Sequence, residues 1–273
     1  MMRIQAPPLY NRYLPADAKS VEIVLVSQRN PLNIGAAARA MANFGFQNLT
    51  VVAPYEPHWR EAQSAVGAET LLQNAKRTES LAEAVAGCTL VVGTGTLTYR
   101  KAEQKVVALP ALAPMVQQEL GRGGRVALVF GPEKHGLTRE DLSWCNMLVE
   151  IPTDPHQPSM NLGQAVAVCL YELASRAFPG PGDPPAGSPA QTSEAGLGEQ
   201  PAAALSGHLD LLAGLIEETM AAAGYSPRSM QAANRHDLRL LLRRLAPSER
   251  DTRRILGLFR RILWRLQRSN RKE

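Results

Sequence analysis

The feature that most constrains this chain is an alternation running from residue 21 to residue 177. Five short runs, VEIVLV (21–26), NLTVVA (48–53), TLVVG (89–93), RVALVF (125–130) and MLVEI (147–151), are β-rich and lack regular polar alternation. Such runs belong to strands covered on both faces. Helical patterns separate them, over 33–44, 80–86, 111–120 and 139–145, and another over 162–177 closes the unit. Strand–helix alternation of this kind predicts an α/β fold on a parallel sheet. Pattern alone would make that sheet open and doubly wound.

At residue 178 the composition changes. Residues 178–204, FPGPGDPPAGSPAQTSEAGLGEQPAAA, are rich in Pro, Gly, Ala and Ser and offer little to bury, which predicts a disordered linker. Beyond it, over 205–273, the pattern is helical. SGHLDLLAGLIEETMAAAG opens on Ser206 as a candidate cap and stops at Gly224. Leu238, Leu241, Leu242 and Leu245 form one apolar stripe; Ile255, Leu258, Phe259, Ile262, Leu263 and Leu266 form a second.

Charge follows the same division. The net charge of +5 combines 14 basic and 4 acidic residues over 225–273 with 16 basic and 21 acidic over 1–224. Of the 30 basic residues 24 are Arg, the side chain suited to bidentate phosphate contacts. Arg235, Arg239 and Arg243, then Arg253, Arg254, Arg260, Arg261, Arg265 and Arg268, lie opposite the apolar stripes. An ordinary solvated face mixes signs, so this one is expected to meet a polyanion. The division is thus an N-terminal extension (1–20), an α/β domain (21–177), a linker (178–204) and a basic helical extension (205–273).

Apolar content of 45 % with 20 % charged residues describes a globular protein with a core. No apolar stretch approaches the roughly 20 residues of a membrane span, and residues 1–20 lack a secretory h-region. Cys88, Cys145 and Cys169 stand apart with no CxxC pairing, so neither a disulfide framework nor a zinc site is expected. These features predict a cytoplasmic protein without a metal.

Three glycine-bearing loops follow strands: GTGTLT (93–98), GPEKHGLT (131–138) and TDPHQPSMN (153–161). Ligands of open parallel sheets bind where such loops leave the strand ends, so together they define a candidate pocket. GTGTLT lacks the third glycine of a dinucleotide fingerprint, and GPEKHGLT has Leu137 where a P-loop needs its Lys. Taken singly, every polar residue nearby has a structural explanation. Asn33 could cap its helix, Arg39 could be solvated, and Glu133 could be a helix N-terminal charge. Ser159 and Asn161 are equally placed as caps, and His156 reads as a loop residue.

Together the segments say more. NPLNIGAAARAMANFG (30–45), ALVFGPEKHGLTREDL (127–142) and IPTDPHQPSMNLGQAVAVCLYEL (151–173) resemble motifs 1, 2 and 3 of the SPOUT (SpoU–TrmD) methyltransferases, in the ribose 2′-O-methylating SpoU branch. AVGAETLLQNA (65–75) and GCTLVVGTGT (87–96) fit the same branch. GHLDLLAGLIEETMAAAGY (207–225) with the Leu/Arg helices further resembles the TrmJ-type tRNA 2′-O-methyltransferases.

The resemblance implies a SPOUT-type parallel sheet with a C-terminal trefoil knot, S-adenosylmethionine as methyl donor, and an active site at a homodimer interface. The cofactor would lie against Thr94, Gly95, Thr96, Gly131, Ile151, Pro158, Ser159, Met160 and Leu162. Asn33, Arg39, Glu133, Ser159 and Asn161 match the catalytic motif positions. Arg100, or Tyr99 after a one-residue shift, takes the place of an Arg that follows the GT turn in TrmJ-type enzymes. With Arg39, Arg100, Arg235, Arg239, Arg243, Arg254 and Arg261 as RNA contacts, the implied reaction is 2′-O-methylation of cytidine or uridine 32 in a tRNA anticodon loop. The same chemistry on ribosomal RNA or another tRNA position is the nearest alternative. A non-catalytic RNA-binding protein that keeps the fold is a further one. A nicotinamide-dependent oxidoreductase would leave the basic helices without a purpose.

Overall fold

The computed structural model describes residues 18–95, 103–175, 202–225 and 230–269. Strand β1 (Val21–Val26) lies inside the sheet and all six of its residues are buried. Around it are β2 (Asn48–Val52), β3 (Lys76–Thr78), β4 (Leu90–Thr94), β5 (Lys105–Ala108), β6 (Val126–Phe130) and β7 (Met147–Glu150). They form one seven-stranded sheet in the order β3-β2-β1-β6-β4-β7-β5, with every pairing parallel.

Helices α1 (Pro31–Asn43), α2 (Glu69–Asn74), α3 (Leu81–Val85), α4 (Leu112–Gly121), α5 (Arg139–Leu142) and α6 (Leu162–Ser175) connect or flank the strands. Alternate side chains of β1 enter different cores. Ile23 and Leu25 join the cluster under α1, α4 and α6, while Val24 and Val26 join the one beneath α3. Glu22 is buried in this apolar strand and accepts from Thr50 Oγ1 at 2.6 Å, with Arg125 Nη2 3.8 Å and Lys76 Nζ 4.0 Å away. Its charge is thereby balanced.

The sheet contains two strands that the apolar runs did not reveal. Strands β3 and β5 are three and four residues long and stand at the two edges, largely exposed, so they need no continuous apolar run. The position of the functional loops follows from strand order. The chain goes out to edge strand β5, returns to insert β6 between β1 and β4, then places β7 between β4 and β5. Strands β6, β4 and β7 are therefore neighbours, and the loops leaving them meet.

Helices α7 (Ser206–Ala222), α8 (Gln231–Leu245) and α9 (Glu249–Ser269) form a small unit in which α8 and α9 both pack on α7. Its core is Leu212, Ala213, Leu242 and Leu256. The expected stripes are rotated. In α8, Leu240 and Leu242 are buried while Leu241 and Leu245 are exposed; in α9, Thr252, Leu256 and Leu263 face inward while Leu258 and Ile262 do not. Ser206 is not a cap, because the helix begins beyond Leu205 and the Ser206 hydroxyl accepts from Arg243 Nη2 at 3.0 Å.

The unit sits directly on the α/β domain. Ser206 N donates to Cys88 O at 2.8 Å and Gly207 N to Ala86 O at 3.0 Å. Most of the expected linker lies outside the described residues. Its last residues are part of the helical unit, with Ala203 bridged to Ser248 and Ala204 buried.

Candidate active site

Helix α1 begins at Pro31, and its cap is Asn30, whose side chain accepts from Leu32 N. Asn33 is therefore in the first turn, not at the cap, and its side chain is free for other work. Its Nδ2 donates to Glu133 Oε1 in a short contact. Its Oδ1 accepts from Asn161 Nδ2 at 3.1 Å. Asn161 in turn caps α6, accepting on Oδ1 from Gly163 N at 2.9 Å and Gln164 N at 3.4 Å. Of the two candidate caps before that helix, Asn161 is the one in use, which leaves the exposed Ser159 hydroxyl to the cavity beside it.

That cavity encloses about 260 Å³. Thr94 and Gly95 enter it from the end of β4, Gly131 and Glu133 from the turn after β6, and Ile151, Pro158, Ser159 and Met160 from the loop after β7. Leu162 completes the wall. Thr96 and Arg100 lie outside the described residues, as does Tyr99. The sequence reading missed Phe130, Pro132, Lys134, His135, Gly136 and Thr153, which also line the cavity; four of them fall inside the quoted GPEKHG loop. It also missed Gln28. This buried amide donates to Val26 O at 3.2 Å and Gly131 O at 2.9 Å, tying the turn after β6 to the end of β1. A lone Gln after an apolar run carries no sequence mark of that role.

Small residues set the shape of the site. A Cβ on Gly131 would collide with the backbone of Gly136 and Leu137. Gly35 also meets a neighbour closely, within the same chain: a Cβ there would strike Ser64 and Ala62. A Cβ on Gly163 would come 2.7 Å from the Ala36 methyl group, so α1 and α6 cross in near contact.

Arg39 is exposed on α1 and makes no hydrogen bond or ion pair among the described residues. It lines a shallow recess with Ala36, Ser64, Asn161, Gly163 and Gln164. Asn161 borders this recess and hydrogen-bonds to Asn33, which in turn reaches Glu133 at the cavity. The polar chain Glu133–Asn33–Asn161 thus runs between the cavity and Arg39.

The proposed RNA contacts divide. Arg235, Arg254 and Arg261 are exposed. Arg239 and Arg243 are 6 % and 2 % exposed, which removes both from any nucleic-acid face. Arg239 Nη1 pairs with Glu140 Oε1 at 2.6 Å, and Arg243 Nε donates to Trp144 O at 2.9 Å. Their guanidinium carbons lie 4.6 and 5.0 Å from the Trp144 ring centroid. The two arginines pin α8 to the α/β domain. Burial pulls the Arg243 guanidinium down to about 10, which leaves it charged at neutral pH.

The three cysteines are buried free thiols, and burial pushes Cys88 up to about 11 and Cys145 and Cys169 to about 12. Such thiols are poor nucleophiles. His156 is in a loop, 3.0 Å from Asp154 Oδ1. Among the described residues there is no cluster of three or more His, Cys, Asp or Glu able to hold a metal, and no helix is long and apolar enough to cross a membrane.

A family model described as the SpoU rRNA Methylase family matches residues 20–171. The chain is 40 % identical over 159 residues to the tRNA (cytidine/uridine/adenosine-2′-O-)-methyltransferase TrmJ of Pseudomonas aeruginosa (strain UCBPP-PA14). That alignment covers 56 % of this chain and 60 % of the relative. Identity to the tRNA (cytidine/uridine-2′-O-)-methyltransferase TrmJ of Escherichia coli O1:K1 / APEC is 31 % over 258 residues, covering 93 % of this chain and 97 % of the relative. The crystal structure of TrmJ from Z. mobilis ZM4 superposes with a TM-score of 0.72 at 29 % identity, over 88 % of this chain and 98 % of that one. A family model covering more than half of the chain, and a TrmJ relative aligned along almost its whole length, place the chain in the SpoU methylase family, among the TrmJ-type RNA ribose methyltransferases.

Proposed function

We propose that the protein transfers a methyl group from S-adenosylmethionine to the 2′-hydroxyl of a ribose in the tRNA anticodon loop, at cytidine or uridine 32. The observation that carries this reading is the hydrogen-bonded chain Glu133–Asn33–Asn161 between the cavity and Arg39. It joins residues of all three motifs in one constellation.

The cavity suits S-adenosylmethionine. Ile151, Met160 and Leu162 supply apolar walls for an adenine ring, while Thr94, Gly95 and Gly131 bring the ends of β4 and β6 alongside it. Around Gly95 a Cβ would meet nothing within 4 Å among the described residues, which leaves room for a ligand beside the backbone. When bound there, the cofactor supplies a methyl group on a sulfonium centre. The work of the chain is to bring the ribose oxygen to it.

Arg39 holds a phosphate of the target nucleotide, orients the 2′-hydroxyl and stabilises the negative charge developing on its oxygen. A guanidinium has no free lone pair to accept a proton, so the hydroxyl proton leaves to a phosphate oxygen or to water. The chain Glu133–Asn33–Asn161 fixes the floor between the two recesses.

We read the outer face of α1 and α6 as a homodimer interface. It combines the close-packed Ala36 and Gly163 with exposed Leu32, Val168 and Tyr171. The interleaving of β6 and β7 is read as the trefoil knot of the fold. The exposed arginines of α8 and α9, Arg235, Arg254 and Arg261 among them, hold the RNA backbone without reading its sequence. Target choice then comes from tRNA shape and an everted loop nucleotide.

The test is methyl transfer from labelled S-adenosylmethionine to bulk tRNA lacking its native modifications, followed by nucleoside mass analysis. A 2′-O-methylated cytidine or uridine mapped to position 32 is the expected product. Label on a base would overturn the ribose assignment, and label on ribosomal RNA alone would move the substrate.

A further inference from the structure

Helix α9 directs Thr252, Leu256 and Leu263 into the helical unit. Its outer side carries Arg253, Arg254, Arg260, Arg261, Arg265 and Arg268, all exposed. Arg253 and Arg254 are balanced along the helix by Glu249 and Asp251. Among the described residues, Arg260, Arg261, Arg265 and Arg268 make no ion pair. Four unbalanced guanidiniums within three turns repel one another and call for an anion.

In the middle of this face stands Trp264. It is 55 % exposed, whereas Trp59 is buried and the Trp144 ring is engaged by two arginines. Helical spacing places it beside Arg260, Arg261 and Arg268, and the Arg268 guanidinium carbon lies 5.3 Å from its ring centroid. Two turns earlier, residue 257 is glycine, and a Cβ there would meet nothing within 4 Å among the described residues. The indole is therefore exposed beside positive charge.

We propose that Trp264 is a stacking platform for an unpaired nucleobase of the bound RNA, with Arg260, Arg261, Arg265 and Arg268 holding the adjoining phosphates. This rests on the reading that the protein binds RNA. Single-stranded nucleic acid presents both chemistries at once, a flat apolar base and a charged backbone, and aromatic rings interleaved with cations are how proteins hold it. A perfect duplex offers phosphates but keeps its base faces stacked. A protein partner covering the indole would have to desolvate unpaired guanidiniums, which is costly.

The test compares full-length wild type, W264A, W264F and the double variant R260Q/R261Q in binding to unmodified tRNA and to a perfectly paired RNA duplex, over a range of salt. All three substituted side chains, Arg260, Arg261 and Trp264, are exposed, so each variant should melt like wild type. W264A should weaken tRNA binding about tenfold, about 1.4 kcal/mol, with an unchanged salt slope. W264F should stay within about threefold of wild type, and neither should alter duplex binding. R260Q/R261Q should weaken both ligands and lower the salt slope by roughly two.

Wild-type affinity of W264A beside weakened R260Q/R261Q would overturn stacking and leave the RNA reading intact. No binding of tRNA by the wild type would overturn both. Unchanged RNA affinity with altered sedimentation of W264A would assign the indole to a protein contact.

Discussion

Asn161 Nδ2 donates to Asn33 Oδ1 at 3.1 Å, across 128 residues of chain. The polarity of this bond is fixed from one end. Because Asn161 Oδ1 accepts backbone amides at the start of α6, its amino group must point away, toward Asn33. Asn33 then presents its oxygen to Asn161 and its amino group to Glu133, an acceptor when ionised. The helix cap thus orients the whole polar chain.

Separating the cap from the chain tests this. Asn161→Ala should cost about 1 kcal/mol in urea unfolding, the usual loss of a cap, and should lower methyl transfer. Asn161→Asp keeps an acceptor at the helix N-terminus, where negative charge is favourable, but cannot donate to Asn33. It should hold near wild-type stability while losing activity in single-turnover assays. Wild-type turnover by the Asp variant would show that the bond to Asn33 plays no part in the reaction.

Arg39→Ala should lose at least about a hundredfold in single-turnover rate, the scale of one oriented charge-stabilising group. Its affinity for S-adenosylmethionine, followed by calorimetry, should change little, because Arg39 lines a different recess from the cavity. Its melting temperature should not move, since the side chain is exposed and makes no ion pair among the described residues.

Gly131→Ala acts in the opposite way. The added methyl group would meet the backbone of Gly136 and Leu137, which cannot swing aside as a flexible side chain can. The turn must move, at a cost of about 1–3 kcal/mol typical of overpacking. Weaker S-adenosylmethionine binding should accompany lower stability, since Gly136 lines the same cavity. Calorimetry and thermal melting measure the two effects separately.

Attachment of the helical unit should depend on Arg243 and on acid. Arg243→Ala removes the bonds to Trp144 O and Ser206 Oγ from a buried site and should cost about 2 kcal/mol, with faster proteolysis of α8. Partial burial raises the Glu140 carboxyl, but the hydrogen bond and charge of Arg239, followed by those of His236, outweigh it and hold it below its ordinary 4.5. Its contribution is therefore complete above about pH 4.5 and disappears as the pH falls through the lower folded value. Proteolysis of α8 should accelerate below that pH in wild type, and less so in Glu140→Gln, which has already lost the charge.

The α/β class was legible because a strand covered on both faces must be apolar along its length, as VALVF and MLV are. The edge strands β3 and β5 were not, since an exposed edge imposes no such demand. Asn33, Glu133, Ser159 and Asn161 could be singled out only as members of a resemblance. Each had an adequate local explanation, and for Asn33 the local explanation, a helix cap, was wrong by one turn.

The arginines mark the limit most sharply. In sequence, Arg239 and Arg243 repeat at helical spacing among leucines, just as Arg254, Arg261 and Arg265 do, and periodicity assigns all of them to one basic surface. Sequence by itself determined that the last helices would be amphipathic and strongly positive. Only the tertiary structure decided which charges meet water. Trp144, Glu140 and Ser206 come from elsewhere in the chain to receive two of them. A guanidinium can be buried where a carboxylate, a carbonyl and an aromatic face replace its hydration, and those partners are set by the packing of the helical unit on the α/β domain, not by neighbours along the helix.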